Sequence, residues 1–363
     1  MQVLCIIILK QHYPGNREFK VDTSQLVVST GLTVKGMFFL ISLIMIVWLQ
    51  EVWGQSDSYG IVDFRTSCNE TVNELFNRGV SKLYSFWYGS ALEDFIDVLE
   101  EDPNCCIAYF MAANTKFHPI WDFISDKRLE EAQMLSQNAS ECITLENDVT
   151  RRESEYIDAL AKFTDTSIDS PENRLQVYAN ALRQVFLDFG PTDENAAIFY
   201  SLSLLAVGYY SETEPDVDWP NLRLAGLLAE LVTLGNPHSP GALHYVIHSY
   251  DQPSLASRAL SAANVYLNSS VSVPHAIHMP SHIFCDLGMW EDSILSNILS
   301  MNTAVESTGN LGGDWYHGAY FLQFSMLQLA MDCDARVSKP RVRFPRLAPQ
   351  ILHFTYLLVC LSL

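Results

Sequence analysis

The chain has 363 residues, of which 22 are Lys or Arg and 42 are Asp or Glu, so its net charge is −20. Its hydrophobic fraction of 48% is large enough to fill a core, which excludes wholesale disorder. The acidic residues lie mainly in the middle of the chain, because residues 336–363 carry five basic residues and no acid. An acidic surface repels phosphate, which excludes nucleic acid as a partner and disfavours anionic membrane surfaces.

Residues 37–49 form a short apolar run that begins just after Lys35. Its length is typical of a secretory signal, since a transmembrane helix needs about 20 apolar residues. We therefore predict a signal peptide at 37–54, cleaved near Gly54, and a secreted or extracytoplasmic protein with no stable membrane span; a signal anchor is the alternative. Translation is expected to start at Met37, which makes residues 1–36 an upstream or non-native extension.

Potential glycosylation and disulfide sites fit an exported chain. Three glycosylation sequons begin at Asn69, Asn138 and Asn268. Six cysteines lie between the predicted signal and the tail, and an even number in an oxidising compartment favours disulfides over buried free thiols, which remain the alternative. These cysteines are Cys68, Cys105, Cys106, Cys142, Cys285 and Cys333.

The rest of the chain has the apolar periodicity of amphipathic helices and almost no alternating strand pattern. Short connections rich in Pro, Gly, Asp and Asn favour antiparallel helical hairpins, which predicts an all-α fold. The predicted helices cover residues 75–87, 91–99, 106–116, 127–136, 151–163, 171–188, 195–209, 219–234, 241–250, 254–267, 275–288 and 291–305, and a last helix starts at about 318.

The first predicted hairpin has the residue pattern of a tetratricopeptide unit. A small residue in one helix, an alanine and an aromatic four residues apart in the next, and a closing proline stand at Gly79, Ala91, Phe95 and Pro103. The small residues allow a close approach that the aromatic ring fills, and the proline ends the helix. One such unit alone is a weak signal.

A repeat is clearer in the second half of the chain. His278 follows His244 at the same distance along the sequence as His282 follows His248. This shared spacing matches the period of about 34 residues that is typical of tetratricopeptide repeats. We therefore predict a right-handed solenoid of antiparallel helical hairpins of tetratricopeptide type over residues 57–335.

This repeat predicts a histidine array. His244 and His248 share a helical face, as do His278 and His282, and His275 joins the second pair. Equivalent helices lie roughly 8–10 Å apart, so the four repeated imidazoles form a two-by-two array that faces the concave groove of the solenoid.

Three functions of this array remain open. Imidazoles at this spacing can bind a divalent transition metal such as Zn, Cu or Fe in a metal-binding protein or metal-dependent enzyme, although no HExxH motif or general base is apparent. The same histidines can line a groove for a protein, peptide or small-molecule ligand, or form a structural network. Asp251, Asp286 and His317 are the candidates for outer partners of the histidines. Pro280 either kinks the helix or begins it.

Several segments resemble a family of tetratricopeptide-repeat proteins found mostly in bacteria, often exported and without a settled activity. They are DPNC at 102–105, the Trp121 region, HSPGALHYVIH at 238–248 and HAIHMPSHIF at 275–284. The resemblance covers roughly residues 65–335 and implies an all-helical repeat fold. Related chains continue with further helices, so residues 336–363, basic and then apolar, are expected to be an atypical or truncated tail.

The first hairpin also suggests a disulfide. Cys68 and Cys105 flank this hairpin and are the preferred pair, with Cys106 as the rival of Cys105. On balance, the sequence predicts a repeat protein that binds a ligand or partner in a histidine-lined concave groove; the alternatives are metal binding or metal-dependent catalysis by the histidines, and an interaction scaffold in which they are structural.

Overall fold

The computed structural model describes residues 58–145, 148–211, 219–309 and 311–335, and all regular structure in these residues is helical. The predicted all-α class is therefore confirmed for this part of the chain. A 3₁₀ helix, Glu70–Val72, comes first. The α-helices are α1 (Asn73–Tyr84), α2 (Tyr88–Glu101), α3 (Cys106–Asn114), α4 (Asp126–Leu145), α5 (Arg151–Phe163), α6 (Pro171–Phe189), α7 (Glu194–Ser211), α8 (Pro220–Gly235), α9 (Pro240–Ser249), α10 (Ala256–Ser269), α11 (Pro274–His278), α12 (Pro280–Asp286), α13 (Trp290–Thr308) and α14 (Gly313–Ala335).

Three terminal regions with predicted roles lie outside the described residues. They are the extension at 1–36, the signal peptide at 37–54 and the tail at 336–363. Within the part of the chain that the structure does describe, no helix combines the length and the apolar character needed to cross a bilayer.

Side-chain caps mark where several helices begin. Thr150 and Glu153 form a capping box at the start of α5, each side chain accepting a hydrogen bond from the other residue's backbone N–H. Ser170 and Ser239 cap α6 and α9, and each is followed by a proline in the first turn. A proline there loses no helical hydrogen bond, so serine followed by proline starts a helix at little cost.

Consecutive helices pack against each other throughout the described chain. In the first hairpin, a Cβ atom added at Gly79 of α1 would lie only 2.7 Å from the ring of Phe95 on α2. Ala91, also on α2, is fully buried. The small and aromatic residues of the predicted pattern therefore sit in a close helix–helix contact.

The helices of the second half repeat at a constant interval. α9 begins at Pro240 and α11 at Pro274, and the starts of α10 and α13, at Ala256 and Trp290, are separated by the same interval. The difference between the two units is Pro280, which lacks an N–H and separates α11 from α12. The predicted single helix over 275–288 is thus two short helices.

The first hairpin packs against helices far along the chain. The ring of Tyr84 in α1 lies 5.6 Å from Phe199 in α7 and 6.3 Å from Tyr245 in α9. Its hydroxyl donates to Asn195 Oδ1 over 2.9 Å. Ahead of α1, the Ile61 N–H donates to a backbone carbonyl near the start of α9. Buried aromatic rings therefore fill the space between these helices.

Two disulfides reinforce the first four helices. Cys68 is bonded to Cys105, the pair preferred from the sequence, and Cys106 is bonded to Cys142, a second bridge that the sequence pattern did not suggest. Because Cys105 and Cys106 are adjacent, the segment before α1 and the end of α4 are tied to one point.

Cys285 is a free thiol. The three sequon asparagines, Asn69, Asn138 and Asn268, are exposed.

Candidate metal centre

The histidines of α9 are buried at the centre of the fold. His244 is 0% exposed and His248 is 4% exposed, and their ring centroids are 4.7 Å apart, as expected for residues one turn apart. His244 Nδ1 lies 2.7 Å from the carbonyl oxygen of Tyr84. Since a carbonyl can only accept, His244 carries its proton on Nδ1 and presents a lone pair on Nε2.

The six histidines of the region form two groups of three rather than the predicted two-by-two array. In each group the nitrogen atoms that could act as ligands lie within 4.8 Å of one another. The inner triad consists of His244, His248 and His275, and the outer triad consists of His278, His282 and His317.

His275 and His278 share the short helix α11, but their rings have different neighbours. The ring of His275 lies beside that of His244 in α9, while the rings of His278 and of His282, which follows in α12, face His317 in α14. His317 was expected only as an outer partner, but its ring lies 4.3 Å from that of His278. The glycines before His317 interrupt the repeat spacing, so the alignment of the repeats does not extend to this residue. The sequence pattern therefore did not place His317 among the repeated histidines.

Hydrogen bonds fix the tautomers in the outer triad. His278 Nδ1 lies 2.7 Å from Asn297 Oδ1, and the Asn297 amide nitrogen donates to the Ser293 carbonyl, which leaves the amide oxygen to face the ring. His282 Nδ1 lies 2.8 Å from Asp251 Oδ2. Both Nδ1 atoms therefore donate, and both Nε2 atoms carry lone pairs when the rings are neutral. These two Nε2 atoms are 3.1 Å apart.

The inner triad contains unpaired polar atoms. Nε2 of His244, both ring nitrogens of His248 and Nε2 of His275 are buried and have no hydrogen-bond partner among the described residues. Buried polar groups in folded proteins are nearly always hydrogen-bonded, so several orphans on adjacent rings are unusual.

Burial keeps these imidazoles neutral. It lowers the pKa of His244 to about 3, and it lowers the pKa values of His248, His275 and His278 well below 6.5, with the neighbouring histidines adding to the effect. Desolvation disfavours the charged form of a base, which is the direction seen here. A neutral imidazole is the form that ligates metal ions.

The two acids predicted as outer partners have different positions. Asp251 accepts the hydrogen bond from His282 described above. Asp286 makes no such contact, and its Oδ2 atom is buried without a partner among the described residues. Burial and, secondarily, the charge of Asp251 raise the pKa of Asp286 to about 6. Only Asp251 is therefore placed to orient an imidazole.

An aromatic residue that the sequence pattern did not identify lies beside the inner triad. Phe86 has its ring centroid 4.4 Å from that of His244 and 5.8 Å from that of His275. Its backbone φ of +58° lies in the left-handed region that a non-glycine residue rarely occupies. Strained residues of this kind are concentrated at functional sites.

A cavity of about 470 Å³ lies beside the histidines. Its lining includes Phe86, Tyr88 and Trp121, together with His275 of the inner triad and His317 of the outer triad. His118, noted in the sequence beside Trp121, stacks on Tyr88 with ring centroids 4.2 Å apart. Aromatic rings thus line this cavity together with one imidazole from each triad.

The predicted placement of the histidines along an open concave groove is not what the structure has. His244, His248, His275 and His278 are each at most 4% exposed. The first hairpin, with Tyr84 and Phe86, covers the face that an open solenoid would leave free, and this long-range packing is not encoded in the repeat period.

Neither a protein-family model nor any curated protein matches this sequence.

Proposed function

We propose that this protein binds transition-metal ions, one in each histidine triad. The observation that carries the proposal is the pair of Nε2 atoms of His278 and His282, which face each other at 3.1 Å while both Nδ1 atoms donate to oxygen acceptors. Two neutral imidazoles in these tautomers cannot form a hydrogen bond between their Nε2 atoms, because neither carries a hydrogen there.

A metal ion accounts for this close approach. Zinc binds imidazole nitrogen at about 2.0–2.1 Å, so two ligands of one tetrahedral ion lie roughly 3.3 Å apart. A proton carried by His282, beside the Asp251 carboxylate, would also bridge the two Nε2 atoms as a hydrogen bond. Zinc titration separates these two explanations of the close approach.

The donor set indicates the class of metal. Six imidazoles and no directly placed carboxylate suit Zn, Cu, Fe or Ni, whereas Mg and Ca prefer oxygen ligands. The contact from Asp251 to His282 is the carboxylate–imidazole arrangement that orients a metal ligand. The buried Nε2 atoms of the inner triad supply the second set of ligands.

Zinc titration of chelator-treated protein tests the proposal, with His317→Ala as the variant. His317 is exposed, so its removal spares the core while the outer triad loses one of three ligands. His238→Ala is the matched control, because His238 is an exposed histidine outside both triads. We expect His317→Ala to weaken zinc binding by about tenfold or more and His238→Ala to leave it unchanged. Wild-type protein that binds no zinc or copper would refute the proposal.

The helical repeats are proposed to be of tetratricopeptide type, wound as a right-handed solenoid. The contact between Gly79 and Phe95 and the equal spacing of α9 and α11 and of α10 and α13 support this assignment. A protein or peptide partner would then bind an outer surface of the repeats rather than the buried histidines.

Export through a signal peptide at 37–54 is also proposed. It is supported by the apolar run after Lys35, by the two disulfides and by the exposed side chains of the three sequon asparagines. Determination of the N-terminal sequence of the secreted protein tests the prediction, and a mature start far from residue 55 would contradict it.

A further inference from the structure

The cavity of about 470 Å³ beside the histidines is lined largely by aromatic rings. Trp121 is 46% exposed and Trp87 is half-buried, so both present ring surface to a ligand, whereas Phe86 and Tyr88 are buried. The ring of Trp121 is almost perpendicular to those of Phe86 and Tyr88, at 82° and 88°. The walls therefore contain aromatic rings in two perpendicular orientations.

One carboxylate lines this cavity, and it has no partner. Asp314, in the first turn of α14, is half-buried and makes no hydrogen bond or ion pair with any other described residue. Burial raises the pKa of Asp314, because the charged form loses hydration. Charged groups that are taken out of water are normally paired, so a cation in the cavity would supply the missing partner.

The charges around the cavity favour a cation over an anion. No Lys or Arg is among the lining residues, and the chain has a net charge of −20. The Lys82 ammonium lies 5.6 Å from the centre of the Trp87 ring, but it is buried and paired with Asp94 at 2.8 Å. Aromatic faces attract cations, tryptophan most strongly, so the rings and Asp314 act in the same direction.

The same lining separates an organic cation from a metal ion. Hard cations such as Mg²⁺ and Ca²⁺ need several oxygen ligands, and Asp314 supplies the one carboxylate among the lining residues. An alkylated ammonium ion instead spreads its charge over methyl groups, which contact aromatic rings directly. The volume is within the range of roughly 300–1,000 Å³ typical of small-molecule sites.

We propose that this cavity binds a small quaternary ammonium compound whose methyl groups pack against Trp87 and Trp121 and whose charge faces the Asp314 carboxylate. This site does not depend on the proposed metal centre. Metal ions in the triads would add positive charge beside His275 and His317, which line the same cavity, so the site is tested on chelator-treated protein.

The test is calorimetric titration of the full chain with choline and with the neutral alcohol in which a carbon atom replaces the nitrogen of choline. The two ligands have the same shape and the same hydroxyl, so only the charge differs. We expect choline to bind about tenfold or more tightly than the alcohol. Asp314→Asn should remove most of this preference, whereas Asp292→Asn, an exposed acid on α13, changes the net charge equally and should keep it.

Two further variants test the aromatic wall and the position of the site. Trp121→Leu should weaken choline binding about tenfold, and Tyr320→Leu, which removes an aromatic residue that is 68% exposed and outside the lining, should not. A Cβ atom added at Gly89, in the lining, would meet no atom within 4 Å, and the same is true at Gly235, which lines a different cavity. Gly89→Lys therefore introduces an ammonium group into the cavity and should abolish choline binding, whereas Gly235→Lys should not.

Equal binding of choline and the neutral alcohol, or choline binding that neither Asp314→Asn nor Gly89→Lys weakens, would overturn the proposal. Zinc binding is measured separately, so the two proposals fail separately. Protein that binds zinc but no choline lacks only the ammonium site. Protein that binds choline with the expected sensitivity to Asp314→Asn but takes up no zinc or copper lacks only the metal centre.

Discussion

Asp251 provides the sharpest test of whether the histidines bind metal or merely pack. Its carboxylate accepts a hydrogen bond of 2.8 Å from His282 Nδ1 and so directs the Nε2 lone pair towards His278. In Asp251→Asn the amide oxygen can still accept this hydrogen bond, but the negative charge that makes His282 a stronger ligand is lost. Loss of such an outer contact weakens metal binding by about 10–100-fold, which corresponds to about 1.4–2.7 kcal/mol.

The same substitution should not destabilise the metal-free protein, because it also removes a repulsion between two acids. The charge of Asp251 helps to raise the pKa of the partly buried Asp286, so its removal relieves a repulsion. Metal-free Asp251→Asn protein should therefore unfold no more easily than the wild type. A purely structural network predicts the reverse pattern, with reduced stability and no zinc effect.

The assay is zinc affinity by competition with a chromophoric chelator, alongside urea unfolding of the metal-free protein. Asp292→Asn is the control, because Asp292 is an exposed acid on α13 and its removal changes the net charge equally. Equal zinc affinities for the two variants would show that the contact with His282 has no role in metal binding.

Three further predictions concern the fold. Burial lowers the pKa values of the central histidines, one of them to about 3, so the unfolded chain binds more protons below pH 6.5. Stability should therefore fall as the pH drops from about 6.5 towards 3, and a urea midpoint equal at pH 7 and pH 5 would contradict this. Replacement of Cys106 and Cys142 by alanine should lower the unfolding free energy by about 2–4 kcal/mol, and partial reduction followed by differential alkylation, which distinguishes the adjacent Cys105 and Cys106, should identify the Cys106–Cys142 pair; a Cys68–Cys106 pair would contradict it. Gly79→Ala places a methyl group 2.7 Å from the ring of Phe95 and should destabilise by about 1–3 kcal/mol. Gly89→Ala, with open space around its Cβ, should instead stabilise the helix by up to about 1 kcal/mol, and equal urea midpoints for the two variants would refute the packing argument.

The helical class could be predicted from the sequence because it depends on local periodicity. The contact between Gly79 and Phe95 could be anticipated for the same reason, since it joins two neighbouring helices. The burial of the histidines could not, because it depends on the first hairpin packing against α9 through Tyr84 and Tyr245, which are separated by most of the domain. No repeat period encodes that contact.

The candidate site was predictable in its residue types and not in its grouping. Spacing identified His244, His248, His278 and His282, but it assigned them to one array. His275 and His278 both lie in α11, yet His275 joins the histidines of α9, while His278 joins His282 and His317 of α14. Phe86 gave no local signal, because its left-handed backbone follows from the turn between α1 and α2 and its position depends on tertiary packing.

The distribution of hydrogen bonds separates a metal centre from a structural network. A network that only holds helices together gains from satisfying both nitrogens of each buried ring, since each orphan costs about 1–3 kcal/mol. Here hydrogen bonds anchor His244, His278 and His282 through Nδ1, while Nε2 of His244 has no partner among the described residues and those of His278 and His282 lie 3.1 Å apart. His248 has no hydrogen bond at either nitrogen among the described residues. Anchoring one nitrogen and leaving the other directed at its neighbours is what a ligand set requires, because it fixes the ring and keeps its lone pair free for the ion.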